Sequence, residues 1–215
     1  MPASLQIRTI ASMPFDENTY VIWFPGRKDC LVIDPGLEPE LILDFLNEEG
    51  LAPSAILNTH GHGDHIGGNE LMKQTYPAAP LYIGVNDEPL LTDANLNMSA
   101  PFGMPIISPP ADVLLKEGDV VSSAGIRLEV LDVPGHSPGH IVFIYWETPT
   151  FVFGGDVLFR GSIGRSDLPG QDGALLTKGI KEKMYKLPDD TIVYPGHGPV
   201  TTIGHEKRTN PFVQG

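Results

Sequence analysis

Cysteine is almost missing from this sequence, and its scarcity excludes a class of protein. Cys30 is the one cysteine among 215 residues. No intrachain disulfide can therefore form, and an exported fold held together by disulfides is not expected. Because Cys30 stands in an apolar run at residues 29–33, we predict that it is a core residue.

Basic side chains are also scarce. Lysine and arginine total 14 against 27 aspartates and glutamates, which gives a formal net charge of −13. Such a chain repels the phosphate backbone that supplies most of the affinity for nucleic acids. We therefore expect no DNA or RNA partner.

Long apolar runs are absent from the sequence as well. No stretch reaches the length of a membrane-spanning helix, and the first 15 residues lack the basic segment and continuous apolar run of a secretory signal. The sequence predicts no membrane partner and a cytoplasmic protein.

What the sequence does contain is a series of short apolar runs joined by loops. Strand-like runs cover residues 5–10, 19–24, 30–33, 55–57, 81–84, 126–133, 141–146, 150–153 and 191–194, and helical patterns cover 37–49, 65–76 and 174–187. Each half of the chain is rich in predicted strands and ends in a predicted helix. This pattern predicts one domain in which two sheets pack together with helices outside. Residues 86–112 have no sustained period, and we predict a long surface loop there that can include one short helix and can form a rim of the active site.

The segment Thr59-His60-Gly61-His62-Gly63-Asp64-His65 is the strongest chemical feature. It holds three of the seven histidines in the chain and lies directly between a predicted strand and a predicted helix. Glycine at alternate positions lets the side chains between converge on one point. Histidine and carboxylate are ligands for zinc, and they also suit iron or manganese. Ordinary core or surface histidines account poorly for this clustering.

Three more candidate ligands, His136, Asp156 and His197, each follow a separate apolar run and are flanked by glycine or proline. Open α/β sheets bind ligands at the carboxyl ends of their strands. We therefore expect these side chains to join the cluster at residues 60–65.

Taken together, the motifs THGHGDH, PGHSPGH, GGDVLFRGSIGRSD and YPGHGP resemble the metallo-β-lactamase superfamily across essentially the whole chain. Within it they resemble short single-domain glyoxalase II-like (hydroxyacylglutathione hydrolase-like) thioester hydrolases. The resemblance implies an α/β fold, a four-layer αββα sandwich, formed as a single domain by residues 1–215.

The same resemblance implies two divalent metal ions, with zinc favoured and iron or manganese as alternatives. His60, His62 and His136 would hold one ion and Asp64, His65 and His197 the other, with Asp156 bridging them. Asp64 and Asp156 are accordingly the predicted catalytic residues. A hydroxide bridging the two ions, available at neutral pH, would attack the substrate carbonyl.

Residues around the metals are predicted to have supporting roles. Asp34 and His140 are predicted to orient ligand imidazoles, although Asp34 is equally compatible with a plain turn before Pro35. Arg165 matches a basic substrate-binding residue of glyoxalase II-like enzymes. Asp167, however, replaces an aromatic residue of that pattern, and only 18 residues follow His197, too few for the helical domain of longer members. His205 is expected to be a solvated helix residue.

Because short single-domain members of the glyoxalase II group share these departures, the resemblance implies S-lactoylglutathione or a similar thioester as the substrate. Alternatives are a mononuclear iron persulfide dioxygenase that uses the first metal position alone, another small-ester or lactone hydrolase, and a binding module without activity. Antibiotic hydrolysis is disfavoured, because zinc β-lactamases commonly have a different residue at the position of Asp156. A nuclease is disfavoured by the acidic charge.

Overall fold

The computed structural model describes residues 4–215, which contain fourteen strands and six helices. In chain order these are β1 (Gln6–Ser12), β2 (Glu17–Trp23), β3 (Asp29–Ile33), α1 (Pro39–Glu49), β4 (Ala52–Leu57), α2 (Gly63–Ile66), α3 (Asn69–Thr75), β5 (Leu81–Gly84), α4 (Glu88–Leu91), β6 (Val113–Leu115), β7 (Val120–Ser123), β8 (Ile126–Asp132), β9 (Ile141–Tyr145), β10 (Phe151–Gly155), β11 (Leu158–Phe159), β12 (Ser162–Ile163), α5 (Gly173–Glu182), β13 (Ile192–Pro195), β14 (Thr201–Thr202) and α6 (Ile203–Thr209). Within residues 4–215, no helix has both the length and the apolar composition needed to cross a bilayer.

The strands form two six-stranded sheets and one short hairpin. The first sheet has the order β1-β2-β3-β4-β5-β6, antiparallel up to β3 and parallel from β3 to β6. The second has the order β14-β13-β10-β9-β8-β7, in which only β10 and β13 are parallel. Strands β11 and β12 pair with each other beside the second sheet.

Three apolar layers hold these sheets together and define the architecture. Leu31, Phe143 and Phe153 belong to the core between the sheets. A second core packs the first sheet against α1 and α3, and a third packs the second sheet against α5 and α6. Cys30 is fully buried in the second of these cores, as predicted. The four-layer αββα sandwich predicted from the sequence is therefore the observed fold.

The predicted helix over residues 65–76 is wrong in one respect, because the structure divides it into α2 and α3 at Gly67 and Gly68. The chain here passes close to the segment at residues 35–37. A Cβ at Gly67 would lie 2.7 Å from Leu37 Cδ2, and the Gly68 amide donates to the Pro35 carbonyl at 2.8 Å. Tertiary contact at two glycines thus interrupts a pattern that is locally helical.

Several short elements escaped the sequence analysis. Strands β6, β7, β11, β12 and β14 have two to four residues each, too few to show a period. The predicted helix at 174–187 ends at Glu182 and is followed by a 3-10 turn, Met184–Lys186. The segment 86–112 is mostly loop, as predicted, but contains α4 and a 3-10 turn, Ala100–Phe102.

Candidate metal centre

The seven predicted ligands meet at one edge of the sandwich, on loops that follow the carboxyl ends of strands from both sheets. Strand β4 leads into the histidine-rich loop and α2, while β8, β10 and β13 each lead into one further ligand. Glycines permit the close packing of these loops: a Cβ at Gly196 would lie 2.2 Å from Asp156 Oδ1. The residues brought together are His60, His62, Asp64, His65, His136, Asp156 and His197.

His60, His62 and His136 form the first group. One ligand atom from each lies within 4.8 Å of the others, and His62 Nδ1 is 2.8 Å from His136 Nε2. His60 is fully buried, and its Nε2 makes no hydrogen bond within residues 4–215. Three imidazoles thus direct nitrogen atoms at a common point.

Asp64, His65 and His197 form the second group, whose ligand atoms also lie within 4.8 Å of one another. His65 Nε2 is 3.3 Å from His197 Nε2, and His197 Nε2 is 3.4 Å from Asp64 Oδ2. This group mixes two nitrogen donors with one carboxylate. Its carboxylate gives the second group a negative charge that the three imidazoles of the first group lack.

Asp156 lies between the two groups and touches both. Its Oδ2 is 3.4 Å from His136 Nε2 in the first group and 3.5 Å from His197 Nε2 in the second. Its Oδ1 is 3.4 Å from His65 Nε2. A single carboxylate in this position can share its two oxygens between two cations.

Burial and neighbouring charges favour neutral imidazole at two histidines of the first group and ionised carboxylate at Asp64 and Asp156. Burial and neighbouring imidazoles lower the pKa of His62 to about 3, and they also hold the pKa of His60 well below its usual value. Neutral imidazole is the form that binds a metal. Burial alone would raise the pKa of Asp64 and of Asp156, but the adjacent histidines outweigh it and keep both pKa values low.

These residues fit two divalent cations. A buried imidazole nitrogen without a partner, as at His60, is costly unless a ligand satisfies it. Each group offers three nitrogen or oxygen donors and has access to Asp156 as a fourth, which suits zinc and also iron or manganese. Asp34, His60 and His65 form a third close set, but both oxygens of Asp34 already accept hydrogen bonds.

Asp34 has the supporting position that the sequence predicted. Its Oδ2 accepts from His65 Nδ1 at 3.1 Å and from Thr59 Oγ1 at 2.6 Å, and its Oδ1 accepts from the Thr59 amide at 2.7 Å. With Nδ1 protonated and held, His65 presents Nε2 to the centre. Asp34 is therefore more than a turn residue.

His140 differs from its prediction. Its Nε2 accepts a hydrogen bond from the backbone amide of Asp156 at 3.0 Å rather than bonding to a ligand imidazole. Its ring stacks on that of His60, with centroids 4.6 Å apart. His140 thus positions the Asp156 backbone and packs against His60.

Two candidate ligand histidines are oriented by backbone carbonyls, which sequence reasoning could not have found. His136 Nδ1 donates to the Arg165 carbonyl at 2.9 Å, and His197 Nδ1 donates to the Phe15 carbonyl at 2.9 Å. A carbonyl oxygen is present at every position of the chain. No residue type therefore marks these two contacts.

Asp87 was also missed, and it connects the two halves of the first group. Its carboxylate accepts from the Gly61 amide at 2.9 Å, the Ser137 hydroxyl at 2.6 Å and the Gly139 amide at 2.5 Å. Asp87 is fully buried. It stands in the segment 86–112, where the sequence shows neither a period nor a motif, so nothing local distinguished it from a surface carboxylate.

A cavity of about 500 Å³ opens over the centre. His62, Asp64, His136, Asp156 and His197 form its floor. Arg165 lies on its wall, half exposed, and its guanidinium pairs with Asp167 at 3.0 Å. Residues from 97–106 form part of the rim, as predicted for the long loop. His205 lies on α6 and belongs to neither ligand group.

We expect Asp34→Asn to weaken metal binding by about 10- to 100-fold, the usual range when a partner that orients a ligand is lost. The amide cannot accept from Thr59 and His65 as two carboxylate oxygens do. Competition with a chromogenic chelator measures the effect. Asp29→Asn is the matched control, because Asp29 lies on β3, four residues before the end of that strand, and pairs only with the exposed Arg27. Equal affinities in the two variants would contradict the role given to Asp34.

Comparisons with known proteins agree with this geometry. A family model described as the metallo-beta-lactamase superfamily matches residues 13–197. The hydroxyacylglutathione hydrolase GloC of Haemophilus influenzae is 37% identical over 211 residues, which cover 97% of this chain and 98% of that protein. The structure of BLEG-1 B3 metallo-beta-lactamase is 40% identical with a TM-score of 0.92, covering 98% of this chain and all of that one. The structure of TTHA1623 in a di-iron-bound form is 40% identical with a TM-score of 0.85, covering 96% of this chain and all of that one.

Proposed function

Because this chain belongs to the metallo-beta-lactamase superfamily, we propose that it is a dinuclear metal-dependent hydrolase that cleaves thioesters, in the manner of glyoxalase II. The observation that carries the proposal is the pair of three-residue groups that share Asp156. The relative named hydroxyacylglutathione hydrolase supports the thioester as substrate class. Zinc is the proposed metal, with iron or manganese as alternatives, and the di-iron relative supports iron.

When bound, two divalent cations would supply Lewis acidity toward the substrate carbonyl and lower the pKa of a water molecule. The protein residues arrange this chemistry. His60 and His62, held neutral by burial, keep their nitrogens available as ligands. The hydrogen bonds of His65 to Asp34 and of His136 to a backbone carbonyl fix the ring orientations.

The thiolate leaving group determines what else the site must provide for thioester hydrolysis. A thiolate is a stable anion and needs little help from a general acid. Arg165 carries a guanidinium on the wall, and a carboxylate of the thiol portion would replace the exposed Asp167 as its partner. Arg165 is accordingly the proposed substrate-binding residue.

We expect the metal-loaded protein to hydrolyse S-D-lactoylglutathione, and we expect His62→Ala to abolish that turnover because it removes one ligand of the first group. The measurement is steady-state thioester hydrolysis after reconstitution with zinc or with iron, together with metal content. Wild-type protein that binds two metals but hydrolyses no thioester would contradict the proposal.

The mononuclear iron alternative receives less support from the geometry. It leaves Asp64, His65 and His197 without a role as ligands, yet the structure brings them as close together as the first group. Under that alternative, His197→Ala would keep its activity. Loss of activity in His197→Ala favours the dinuclear proposal.

A second candidate function is β-lactam hydrolysis, which the similarity to BLEG-1 B3 metallo-beta-lactamase favours. The residue type at position 156 argues against it, because zinc β-lactamases commonly have a residue other than aspartate there. A β-lactam presents a strained amide carbonyl to the same ligands, so the same preparations can be assayed with a chromogenic cephalosporin. A higher kcat/KM on the cephalosporin than on thioesters would reverse the order of the two candidates.

A further inference from the structure

The cavity over the metal centre has two chemically different halves. One half, here called the apolar half, is lined by the apolar side chains of Phe15, Leu37, Met98, Phe102, Met104 and Ile106, together with Asn97 and Ser99. The other, the Arg165 half, is lined by Phe159, Ile163, Arg165, Leu168 and Gln171. Among all the residues that line this cavity, Arg165 is the one lysine or arginine. The two sides therefore favour different parts of a substrate.

The two halves lie over different ligand groups. The apolar half adjoins the second group at Phe15, whose carbonyl accepts from His197 Nδ1 at 2.9 Å. The Arg165 half adjoins the first group through the bond between the Arg165 carbonyl and His136. Asp156 lies between the two ligand groups. A substrate carbonyl at Asp156 would therefore have the apolar half on one side and the Arg165 half on the other.

The polar side chains of the apolar half hydrogen-bond within their own segment. Asn97 Nδ2 donates to the Ile106 carbonyl at 2.9 Å. Ser99 Oγ donates to Asn97 Oδ1 at 2.5 Å and accepts from the Ile106 amide at 2.9 Å. A hydroxyl or carboxylate of a substrate therefore gains little from this half.

Apolar side chains in this half are also unusually exposed. Phe102 is 56% exposed and Phe15 is 37% exposed, and their rings meet edge to face with centroids 5.9 Å apart. Clustered exposed aromatics at a cavity mouth mark a surface that a ligand covers. The covering ligand must be apolar, because the hydrogen-bonding groups of this segment are already paired.

We propose that the acyl group of the substrate is apolar, aliphatic or aromatic, and lies along the apolar half. The thiol portion, with its carboxylates, lies toward Arg165. This inference rests on the proposed thioesterase function and narrows its substrate class. The carbonyl carbon of a thioester joins the acyl chain and the sulfur by separate bonds, so the two portions of the substrate extend in different directions. An anionic thiol portion fits the half that holds the guanidinium, where its carboxylate would replace the exposed Asp167 as the partner of Arg165.

Glutathione thioesters that share one thiol and differ in the acyl group test the inference on the full metal-loaded chain. The series is acetyl, butyryl, hexanoyl and D-lactoyl. Burial of each methylene raises kcat/KM by on the order of fourfold at full burial. We therefore expect hexanoyl to exceed acetyl by about tenfold or more even with partial burial, and D-lactoyl to stay below butyryl.

Phe102→Ala should flatten this dependence on acyl length, while Phe102→Leu should keep it. Phe212→Ala is the matched control, because Phe212 is 61% exposed and lies outside the cavity. Hydrolysis of every thioester at similar kcat/KM, or fastest with D-lactoyl, would overturn the inference and leave the thioesterase intact. Sedimentation is the second check. If the protein is a dimer and, among these variants, only Phe102→Ala dissociates it, then the apolar half binds a second copy of the chain, and that result would also overturn the inference. Failure to hydrolyse any thioester with two metals bound would overturn the proposed function itself.

Discussion

Replacement of Asp156 by asparagine is expected to lower kcat/KM for thioester hydrolysis by about 10³-fold and to reduce the metal content below two per chain. Asp156 Oδ2 lies close to a histidine nitrogen of each group, at 3.4 Å from His136 Nε2 and 3.5 Å from His197 Nε2. Asparagine keeps the shape of the side chain but removes its charge and one of its two oxygen acceptors. It cannot neutralise two adjacent cations as a carboxylate does.

Metal content by elemental analysis and steady-state kinetics, measured on the same preparation, check this prediction. Asp44→Asn is the matched control, because the same chemical change is made on an exposed position of α1. The prediction fails if Asp156→Asn binds two metals and turns over at the wild-type rate. If Asp156→Asn keeps two metals but loses turnover, Asp156 acts in the hydrolysis reaction and is not needed to retain the metals.

Replacement of Asp87 by alanine is expected to lower the free energy of unfolding by about 3 to 5 kcal/mol, because three donors lose their partner. The Gly61 amide lies between His60 and His62, and the Ser137 and Gly139 donors follow His136. The carboxylate therefore ties together the two loops that carry the first group. We also expect weaker metal binding, by about 10- to 100-fold, because the loops are no longer held in register.

Ser137→Ala is the graded comparison for this second prediction. It removes one of the three donors and should cost only about 1 kcal/mol. Urea unfolding of the metal-free protein separates the stability effect from the metal effect, and chelator competition measures the latter. Asp87→Ala that unfolds at the same urea concentration as Ser137→Ala would show that the carboxylate does not connect the two loops.

The candidate ligands were accessible from sequence because their pattern is local. His60, His62, Asp64 and His65 lie within six positions, and strand ends place His136 and Asp156 at the same edge. The four layers were accessible for the same reason, since alternation and helical spacing are properties of short segments. The structure brings the predicted ligands together without exception among the seven.

Other features depended on contacts between distant segments. Asp87 is 26 residues from Gly61 and 52 from Gly139, and nothing near it in the chain marks it as buried. The division of the predicted helix at Gly67 and Gly68 depends on the approach of residues 35–37. His140 was predicted to bond a ligand imidazole, but the fold places the Asp156 amide against it instead.

The sequence by itself determined the types of the candidate ligands, their order along the chain and the layered class of the fold, because spacing and side-chain chemistry are properties of each segment. Only the tertiary structure decided which groups orient the candidate ligands and how the cavity divides into an apolar half and an Arg165 half. The Phe15 and Arg165 carbonyls, and the packing of residues 97–106 over Gly63, come from loops far apart in the chain. Such contacts follow from the packing of the whole domain, because polar groups that become buried need hydrogen-bond partners, and these come from whichever segments lie next to them.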